Sequence, residues 1–351
     1  MNIANYGWNE HFQQEWNERA STQMYPARII ADHGQLVRVM TDAGDLLVNR
    51  SHAKQHEEVQ LAVGDWVALI TDSSFNTTQI YFVLSRRTKF SRAAAGLETK
   101  EQIIAANVDT VFLIQSLNRD FNMRRLERYL IATWESGATP VVILTKADCC
   151  DDVDEKISIV QRTAPGVDVH GISCITKEGL DQIQVYLRKG KTIALLGSSG
   201  VGKSTLVNTL AGEELFKTNE IREDDSKGRH TTTHRELILL PNGGLILDTP
   251  GMRSLSLWES SVGMETMFGD IDELTASCRF HDCSHQSEPG CAIIEALEAG
   301  TLSVKRWESW VKLQKELAHI DAKRDNKLQQ KEKQRGKQLA KFQKEFYKER
   351  V

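Results

Sequence analysis

A glycine-rich loop constrains the fold of this 351-residue chain more than any other sequence feature. Residues 197–204 read GSSGVGKS and match the pattern G-x-x-x-x-G-K-[ST]. The apolar run KTIALL precedes the loop, and the helical pattern STLVNTL begins at its last residue. A strand, loop and helix in this order point backbone N–H groups and a helix N-terminus at phosphate oxygens. The sequence therefore predicts a P-loop α/β domain that binds nucleotide phosphates.

Each part of this loop has an expected task. Lys203 is expected to reach the β- and γ-phosphates, and the Ser204 hydroxyl to bind Mg²⁺. The glycines allow the backbone to curl around the phosphate oxygens. The candidate nucleotide-binding residues here are Gly197, Ser198, Ser199, Gly200, Val201, Gly202, Lys203, Ser204 and Thr205.

The tetrapeptide DTPG at 248–251 ends a second apolar run. Asp248 is therefore expected at the carboxyl end of a strand beside the phosphate loop, where a carboxylate can hold Mg²⁺ through water. The Gly251 amide can then sense a γ-phosphate. Alone, DTPG is also compatible with a simple turn; downstream of a P-loop it favours a nucleotide-dependent switch.

The tetrapeptide TKAD at 145–148 follows the apolar run VVIL and matches the guanine-recognition pattern [NT]-K-x-D. Asp148 can accept hydrogen bonds from guanine N1–H and the exocyclic amine, neither of which adenine offers. By itself the tetrapeptide could also start a helix capped by Asp148. A P-loop kinase of a small metabolite would leave both Asp148 and the DTPG switch unexplained. The candidate base-binding residues are Thr145, Lys146, Ala147 and Asp148.

The order of these motifs is unusual. In ordinary GTPases the P-loop comes first and the base motif last, whereas here the base motif precedes the P-loop. Circular permutation moves the chain termini and keeps the site in space. The sequence thus predicts a circularly permuted GTPase domain with alternating parallel strands and helices.

Residues 26–90 contain five short alternating runs separated by turn signals, which predict a small closed β-barrel of the OB-fold type. Such a barrel can bind oligonucleotides, or it can do no more than dock on its neighbour. Ahead of it, Trp8, Phe12 and Trp16 recur at helical spacing and predict a short helix docked on the next domain.

A cluster of thiols lies towards the C-terminus. Cys278, Cys283, His285 and Cys291 supply three sulfurs and one imidazole, a set suited to a closed tetrahedral zinc site. The single residue between Cys283 and His285 differs from an ordinary zinc finger. A complete ligand set leaves no position for water, so the predicted zinc is structural, and His281 is expected to be a bystander.

The net charge of −4, from 44 basic and 48 acidic residues, does not describe a generally basic nucleic-acid-binding protein. Residues 321–351 alone carry eleven Lys or Arg and five Asp or Glu, which gives +6 there and −10 on residues 1–320. This tail is either a solvated helix with i,i+4 ion pairs or a basic arm that contacts RNA phosphates. No run is long and apolar enough for a membrane span, and the polar N-terminus is unlike a signal peptide, so we expect a cytoplasmic monomer with no membrane partner.

The barrel, the permuted motifs and the Cys/His cluster together resemble the bacterial small ribosomal subunit-dependent GTPase family over nearly the whole chain. The resemblance implies GTP hydrolysis stimulated by the small (30S) subunit, contact with its rRNA and a role in its late maturation. It also implies Mg²⁺ with GTP and one structural Zn²⁺. The implied division is a helical extension (1–22), an OB-fold barrel (23–95), the circularly permuted GTPase domain (100–262) and a mainly α zinc-binding domain with the basic tail (263–351).

The same resemblance implies further site residues. Ser173 and Cys174 correspond to the loop that contacts guanine through backbone groups. Residues 228–233 correspond to switch I, where Thr232 would bind Mg²⁺ and the γ-phosphate unless a neighbouring threonine does so. His230 in this segment would position water for hydrolysis, or it is only a solvated loop histidine.

Two departures from ordinary GTPases affect these expectations. Thr145 replaces the usual Asn, and its shorter side chain is expected to bridge less well to the P-loop. Met252 follows DTPG where Ras-like enzymes carry the water-orienting Gln, and a thioether cannot orient water. Met252 therefore favours an alternative function, that of an rRNA-binding assembly factor that uses GTP only as a conformational ligand.

Overall fold

The structure is a computed structural model that describes residues 2–50, 60–72, 77–93, 101–118, 120–216, 235–248 and 261–322. The chain divides into two units. The first comprises Met1–Arg92, Gln102–Ser256 and Ser261–Gly263; the second comprises Ala93–Glu101, Leu257–Ser260 and Met264–Val351. None of the helices within the described ranges is long and apolar enough to cross a bilayer.

The N-terminal part of the first unit contains five antiparallel strands, which lie where the sequence predicted strands. They hydrogen-bond in the order β3-β2-β1-β4-β5, and β3 also lies against β5. Alternate side chains point into a common interior that holds Val39, Leu69 and Ile80. The strands are β1 (Met24–Asp32), β2 (Leu36–Thr41), β3 (Gly44–Asn49), β4 (Trp66–Asp72) and β5 (Thr77–Val83).

The N-terminal segment packs on these strands. A 3₁₀ turn (Ile3–Tyr6) is followed by helix α1 (Glu10–Arg19), which begins after Asn9 because the Asn9 side chain accepts a hydrogen bond from the His11 amide. The Trp8 ring lies 4.9 Å from the Trp66 ring, centroid to centroid, in an edge-to-face arrangement. Within α1, Phe12 is 2% exposed and its ring lies 5.7 Å from that of Trp66, so the predicted docked helix is confirmed, although it begins at Glu10 and does not include Trp8.

The central sheet of the first unit has the order β10-β9-β8-β11-β13-β12, and all its strands are parallel except β12. Every residue of β8 is buried, as expected for a strand covered on both faces. The strands are β8 (Thr110–Ser116), β9 (Thr139–Thr145), β10 (Asp168–Ile172), β11 (Thr192–Leu196), β12 (Arg235–Leu239) and β13 (Leu245–Asp248). The helices are α2 (Met123–Glu135), α3 (Val153–Thr163), α4 (Leu180–Ile183) and α5 (Lys203–Ala211).

Two further pairings were not predicted. Strands β6 (Lys89–Ala93) and β7 (Glu101–Ala106) form a separate ladder. Strand β12 pairs with β1, with Ala31 opposite Glu236 and Asp32 opposite Arg235, so the N-terminal strands and the central sheet share one mixed eleven-stranded sheet.

The second unit is mainly helical within its described residues. Helix α6 (Ser261–Ala276), whose first turn belongs to the first unit, departs from helical geometry at Phe268. It is followed by α7 (Ala292–Glu298) and by α8, which covers residues 304–322. Arg306 ties α8 to α6 through bonds of 2.7 and 2.9 Å to the two carboxylate oxygens of Asp270. The interior of this unit includes Phe268, Ile271, Ile293, Leu302 and Leu313.

Candidate nucleotide site and metal centre

The phosphate loop connects β11 to α5 and needs glycine at specific points. Gly200 and Gly202 have φ angles of +76° and +96°, which residues with a side chain rarely adopt. At Gly197 a Cβ atom would lie 2.5 Å from the Ile114 carbonyl oxygen of the neighbouring strand β8. The loop therefore has the tight, backbone-lined form that the sequence predicted.

Lys203 is held inside this loop. Its ammonium group donates to the Gly197 carbonyl oxygen at 2.8 Å and contacts the Ser198 carbonyl oxygen. Ser199, Ser204 and Thr205 are exposed around it. The arrangement places one cation and several hydroxyls at the N-terminus of α5, where anionic oxygens are favoured.

The base motif comes to the same edge of the sheet, because β9 and β11 both run parallel to β8 and flank it. The Thr145 hydroxyl lies 2.6 Å from the Val201 carbonyl oxygen, to which it donates, and 3.2 Å from that of Gln115. Lys146, in the left-handed region with φ +60°, donates to the Gly200 carbonyl oxygen at 3.0 Å. The shorter side chain of Thr145 therefore does reach the P-loop; whether it bridges less well than Asn stays a prediction.

Asp148 and the loop after β10 form the base-recognition end of the site. Asp148 is exposed, and a hydrogen bond from the Ser173 hydroxyl lowers the pKa of its carboxyl group. The buried Ser173 hydroxyl in turn accepts from the Ile175 and Thr176 amides at 3.2 and 3.1 Å. Cys174 is half-buried, and desolvation raises the pKa of its thiol. An ionised Asp148 acts as a pure acceptor, which is what two guanine donors require.

One group of residues at this edge was missed by the sequence reasoning. The Ser198 hydroxyl contacts the Asp120 carboxylate, and Arg125 lies 2.8 Å from the same carboxylate. The Gln115 side-chain amide accepts a hydrogen bond from the Asn122 backbone N–H at 2.7 Å and donates one to the Asn122 carbonyl oxygen at 3.0 Å. The signal was present, since β8 ends in Gln115 and Ser116 and the polar residues Asn118 to Asp120 come two residues later.

The predicted switch residues are only partly described. Asp248 ends β13, which is parallel to β11, so its backbone lies at the carboxyl edge beside the phosphate loop. Gly251, His230 and Thr232 lie outside the described residues, as does the surrounding segment 228–233. Their roles stay predictions.

The second unit brings the four predicted metal ligands together. The ligand atoms of Cys278, Cys283, His285 and Cys291 all lie within 4.8 Å of one another. The Cys278 and Cys291 sulfurs are 4.0 Å apart, and each lies 3.5 Å from His285 Nδ1. A tetrahedral Zn²⁺ with bonds of about 2.3 Å to sulfur and about 2.0 Å to nitrogen would separate these atoms by roughly 3.8 and 3.5 Å. The donor set and its spacing therefore fit zinc.

Local structure supports this ligand arrangement. His285 has a φ angle of +59°, and the Arg279 amide donates to the Gly290 carbonyl oxygen at 3.0 Å, which closes the loop. Cys291 is buried. His281 is exposed and does not belong to the group, in agreement with its predicted role as a bystander.

Comparison with known proteins identifies the relatives of this chain. The family model for the RsgA GTPase matches residues 83–258. A small ribosomal subunit biogenesis GTPase RsgA 1 from Listeria innocua is 45% identical over 95% of this chain and 94% of its own length. A protein named RsgA 2 from Vibrio parahaemolyticus is 45% identical over 90% of this chain and 86% of its own length.

Solved structures agree with this result. YjeQ from Thermotoga maritima superimposes with a TM-score of 0.61 and 25% identity, covering 84% of this chain and 99% of that one. YloQ, described as a circularly permuted GTPase, superimposes with a TM-score of 0.60, covering 87% of this chain and 98% of that one at 24% identity, and so shows the fold.

A model for the ABC transporter also matches residues 180–345. That range includes the P-loop but excludes the base motif at 145–148, which the RsgA model covers. The structure joins these two motifs through Thr145 and Lys146. Together with relatives that are at least 41% identical over nine tenths of its length, this shows that the chain belongs to the RsgA family of small ribosomal subunit biogenesis GTPases.

Proposed function

We propose that this chain hydrolyses GTP to GDP and phosphate and uses the change of nucleotide to assist late maturation of the small ribosomal subunit. Its family makes it a GTPase of small-subunit biogenesis. The observation that carries the proposal for the site is the direct bond from the base motif to the phosphate loop, Thr145 to Val201. That bond supports one continuous site for a guanine nucleotide.

The phosphate end of the proposed site uses α5 and its loop. Lys203 would leave the carbonyl oxygens that it now contacts and pair with the β- and γ-phosphates, which compete better for a cation. Mg²⁺ would be held by Ser204, Asp248 and Thr232. When bound, the ion neutralises charge on the phosphate oxygens. The exposed Ser204 hydroxyl and the strand-end position of Asp248 support this assignment.

The base end supplies specificity. Asp148 would accept both guanine donors, while the Ser173 hydroxyl keeps its carboxyl group ionised. Lys146, fixed to the P-loop by Gly200, would lie along the base. Backbone groups of Ser173 and Cys174 would complete the contacts. An adenine base would leave the ionised Asp148 without the two donors that guanine supplies, and so would bind more weakly.

The hydrolytic step would use a water molecule positioned by His230. Met252 cannot do this, and an imidazole titrates near neutral pH, so it can orient or polarise water. A subunit that orders switch I would bring His230 to the γ-phosphate and accelerate turnover. The rival function, GTP as a conformational ligand with negligible turnover, is favoured by Met252 alone.

The remaining parts would bind the ribosome. We propose that β1–β5 form an OB-type barrel that contacts rRNA, as their strand order and the β3–β5 contact support. Leu36 and Leu47 are exposed on β2 and β3, and beside them Arg38 lies 3.8 Å from Asp45 and 3.6 Å from Glu236, so this surface is apolar with ion-paired polar groups around it. A structural Zn²⁺ bound by the three cysteines and the histidine would stabilise the fold of the second unit. The basic tail would contact rRNA unless it is a solvated helix. The protein would act as a cytoplasmic monomer.

The decisive experiment measures phosphate release with and without purified small subunits. We expect slow release alone and a large increase with subunits, together with co-sedimentation in GTP but not in GDP. Large subunits serve as the control. Binding to small subunits without any stimulated phosphate release would favour the rival assembly factor.

A further inference from the structure

The first unit contains a cavity of about 450 Å³ at the opposite edge of the sheet from the nucleotide site. The floor of the cavity lies at the amino ends of β8, β9 and β11 and is formed by Thr110, Thr139 and Lys191. The P-loop and the base motif instead follow the carboxyl ends of β11 and β9. Trp8 from the N-terminal segment and Trp66 from β4 complete one wall. Its size lies within the range of small-ligand sites, roughly 300–1,000 Å³.

The lining is strongly cationic, although residues 1–320 carry a net negative charge. Asp109 is the one carboxylate among the residues that line the cavity, and Lys191 and Arg87 lie 3.0 and 3.6 Å from it. The exposed side chains of Arg188 and Lys189 form no ion pair with any described residue. The five cations are Arg28, Arg87, Arg188, Lys189 and Lys191.

Two deeply buried groups face this space. Arg28, 1% exposed, donates to carbonyl oxygens of Asn107 at 2.9 Å and Gly64 at 3.3 Å, and contacts that of Tyr6. Burial lowers the pKa of Arg28 to about 10, so it stays charged at neutral pH. The indole N–H of Trp66, also 1% exposed, has no hydrogen-bond partner among the described residues. That N–H is itself closed off from the cavity, so this wall contributes the positive charge of Arg28, which favours an anionic ligand.

The opposite wall suits an aromatic ring. Tyr186 is half-buried and Val185 is 47% exposed, and both line the cavity close in the chain to Arg188 and Lys189. Phosphates against Arg188 and Lys189, with a base against an aromatic face, would use both parts of the lining. We propose that this cavity is a second binding site, distinct from the GTP site, for a nucleoside polyphosphate.

This inference goes beyond the proposed GTPase reaction, and ATP tests it because the GTP site is expected to reject adenine. The full chain is saturated with GDP and Mg²⁺ and dialysed to equilibrium against radiolabelled ATP. We expect one ATP per chain with no loss of bound GDP. Arg188→Gln/Lys189→Gln should weaken ATP binding at least tenfold, and Val185→Glu should weaken it by repelling phosphate. The control Lys156→Gln/Arg162→Gln removes two charges from α3 and should bind ATP normally.

Retained GDP binding reports that each variant is folded. Absence of ATP binding at millimolar concentration would overturn the proposal, as would equal ATP affinity in the cavity and α3 variants. Displacement of GDP by ATP would show binding at the GTP site instead. Binding of a single-stranded RNA, but not of ATP, that depends on Arg188 and Lys189 would assign the cavity to RNA and also overturn it.

Discussion

At the scale of single residues, one hydroxyl joins the two halves of the nucleotide site. Thr145 is 2% exposed, and its hydroxyl donates to the Val201 carbonyl oxygen across the space between β9 and the P-loop. The sequence suggested a weaker bridge because Thr145 has a shorter side chain than the usual Asn. The sequence does not show the distance between residue 145 and the P-loop, which the side chain has to span. The register of β9, β8 and β11 sets that distance.

Thr145→Val tests this bridge, since it keeps the shape and removes the hydroxyl. The Val201 carbonyl would lose its donor, at a cost of about 1–3 kcal/mol. We expect GDP affinity to fall roughly tenfold, which corresponds to about 1.4 kcal/mol. Titration calorimetry measures the GDP affinity of each variant. Thr145→Ser keeps the hydroxyl and should retain affinity. Thr139→Val, at the exposed start of β9, is the control and should bind GDP normally. Unchanged affinity in Thr145→Val would contradict the bridge.

His230→Ala tests the proposed water-positioning role. Loss of a group that assists proton transfer costs roughly 10²–10⁴-fold, so we expect subunit-stimulated kcat to fall about 100-fold with GDP affinity unchanged. His234→Ala, in the same segment, is the matched control. Stimulated turnover at the wild-type rate in His230→Ala would remove His230 from the mechanism.

At the scale of elements, the sequence predicted what is local and missed what is not. Helices α2 and α3 are among the helices predicted to alternate with the strands, because apolar periodicity and polar starts are encoded in adjacent residues. The contact of Asp120 with Ser198 and the pairing of β12 with β1 join residues far apart in the chain. Motif residues were predictable since their chemistry is fixed, whereas the residues that support them depend on strand order.

The metal centre belongs to this scale, because its four ligands connect the end of α6 to the start of α7. We expect one zinc per chain and a loss of helical signal from the second unit on strong chelation, with GDP binding retained. Cys291→Ser should lose zinc, and His281→Ala should keep it. Elemental analysis and circular dichroism give both readouts. Full helicity in zinc-free protein would show that the set is not structural.

At the scale of the whole molecule, the predicted switch is connected in sequence to a strand that pairs with the N-terminal strands. Thr232 lies three residues before β12, and β12 pairs on one side with β13 of the central sheet and on the other with β1. Asp248 ends β13. Both proposed Mg²⁺-binding segments thus adjoin a sheet that continues into β1–β5, so a change in switch conformation has a short covalent route to the proposed rRNA-binding surface.

The positive charge of the chain is concentrated in the tail at residues 321–351, and this determines the expected salt dependence of ribosome binding. Each phosphate neutralised by a cation contributes roughly 0.7–0.9 to the slope of log affinity against log salt. Deleting residues 321–351 removes eleven Lys or Arg, so an RNA-binding arm predicts a slope smaller by several units. A variant with Lys337, Lys341, Lys344 and Lys348 changed to Gln keeps the length of the tail and should lower the slope partway. Equal slopes in co-sedimentation for the full chain, the deletion and the Gln variant would mean that the tail is a solvated segment. Residues 1–320 would then be sufficient to bind the subunit.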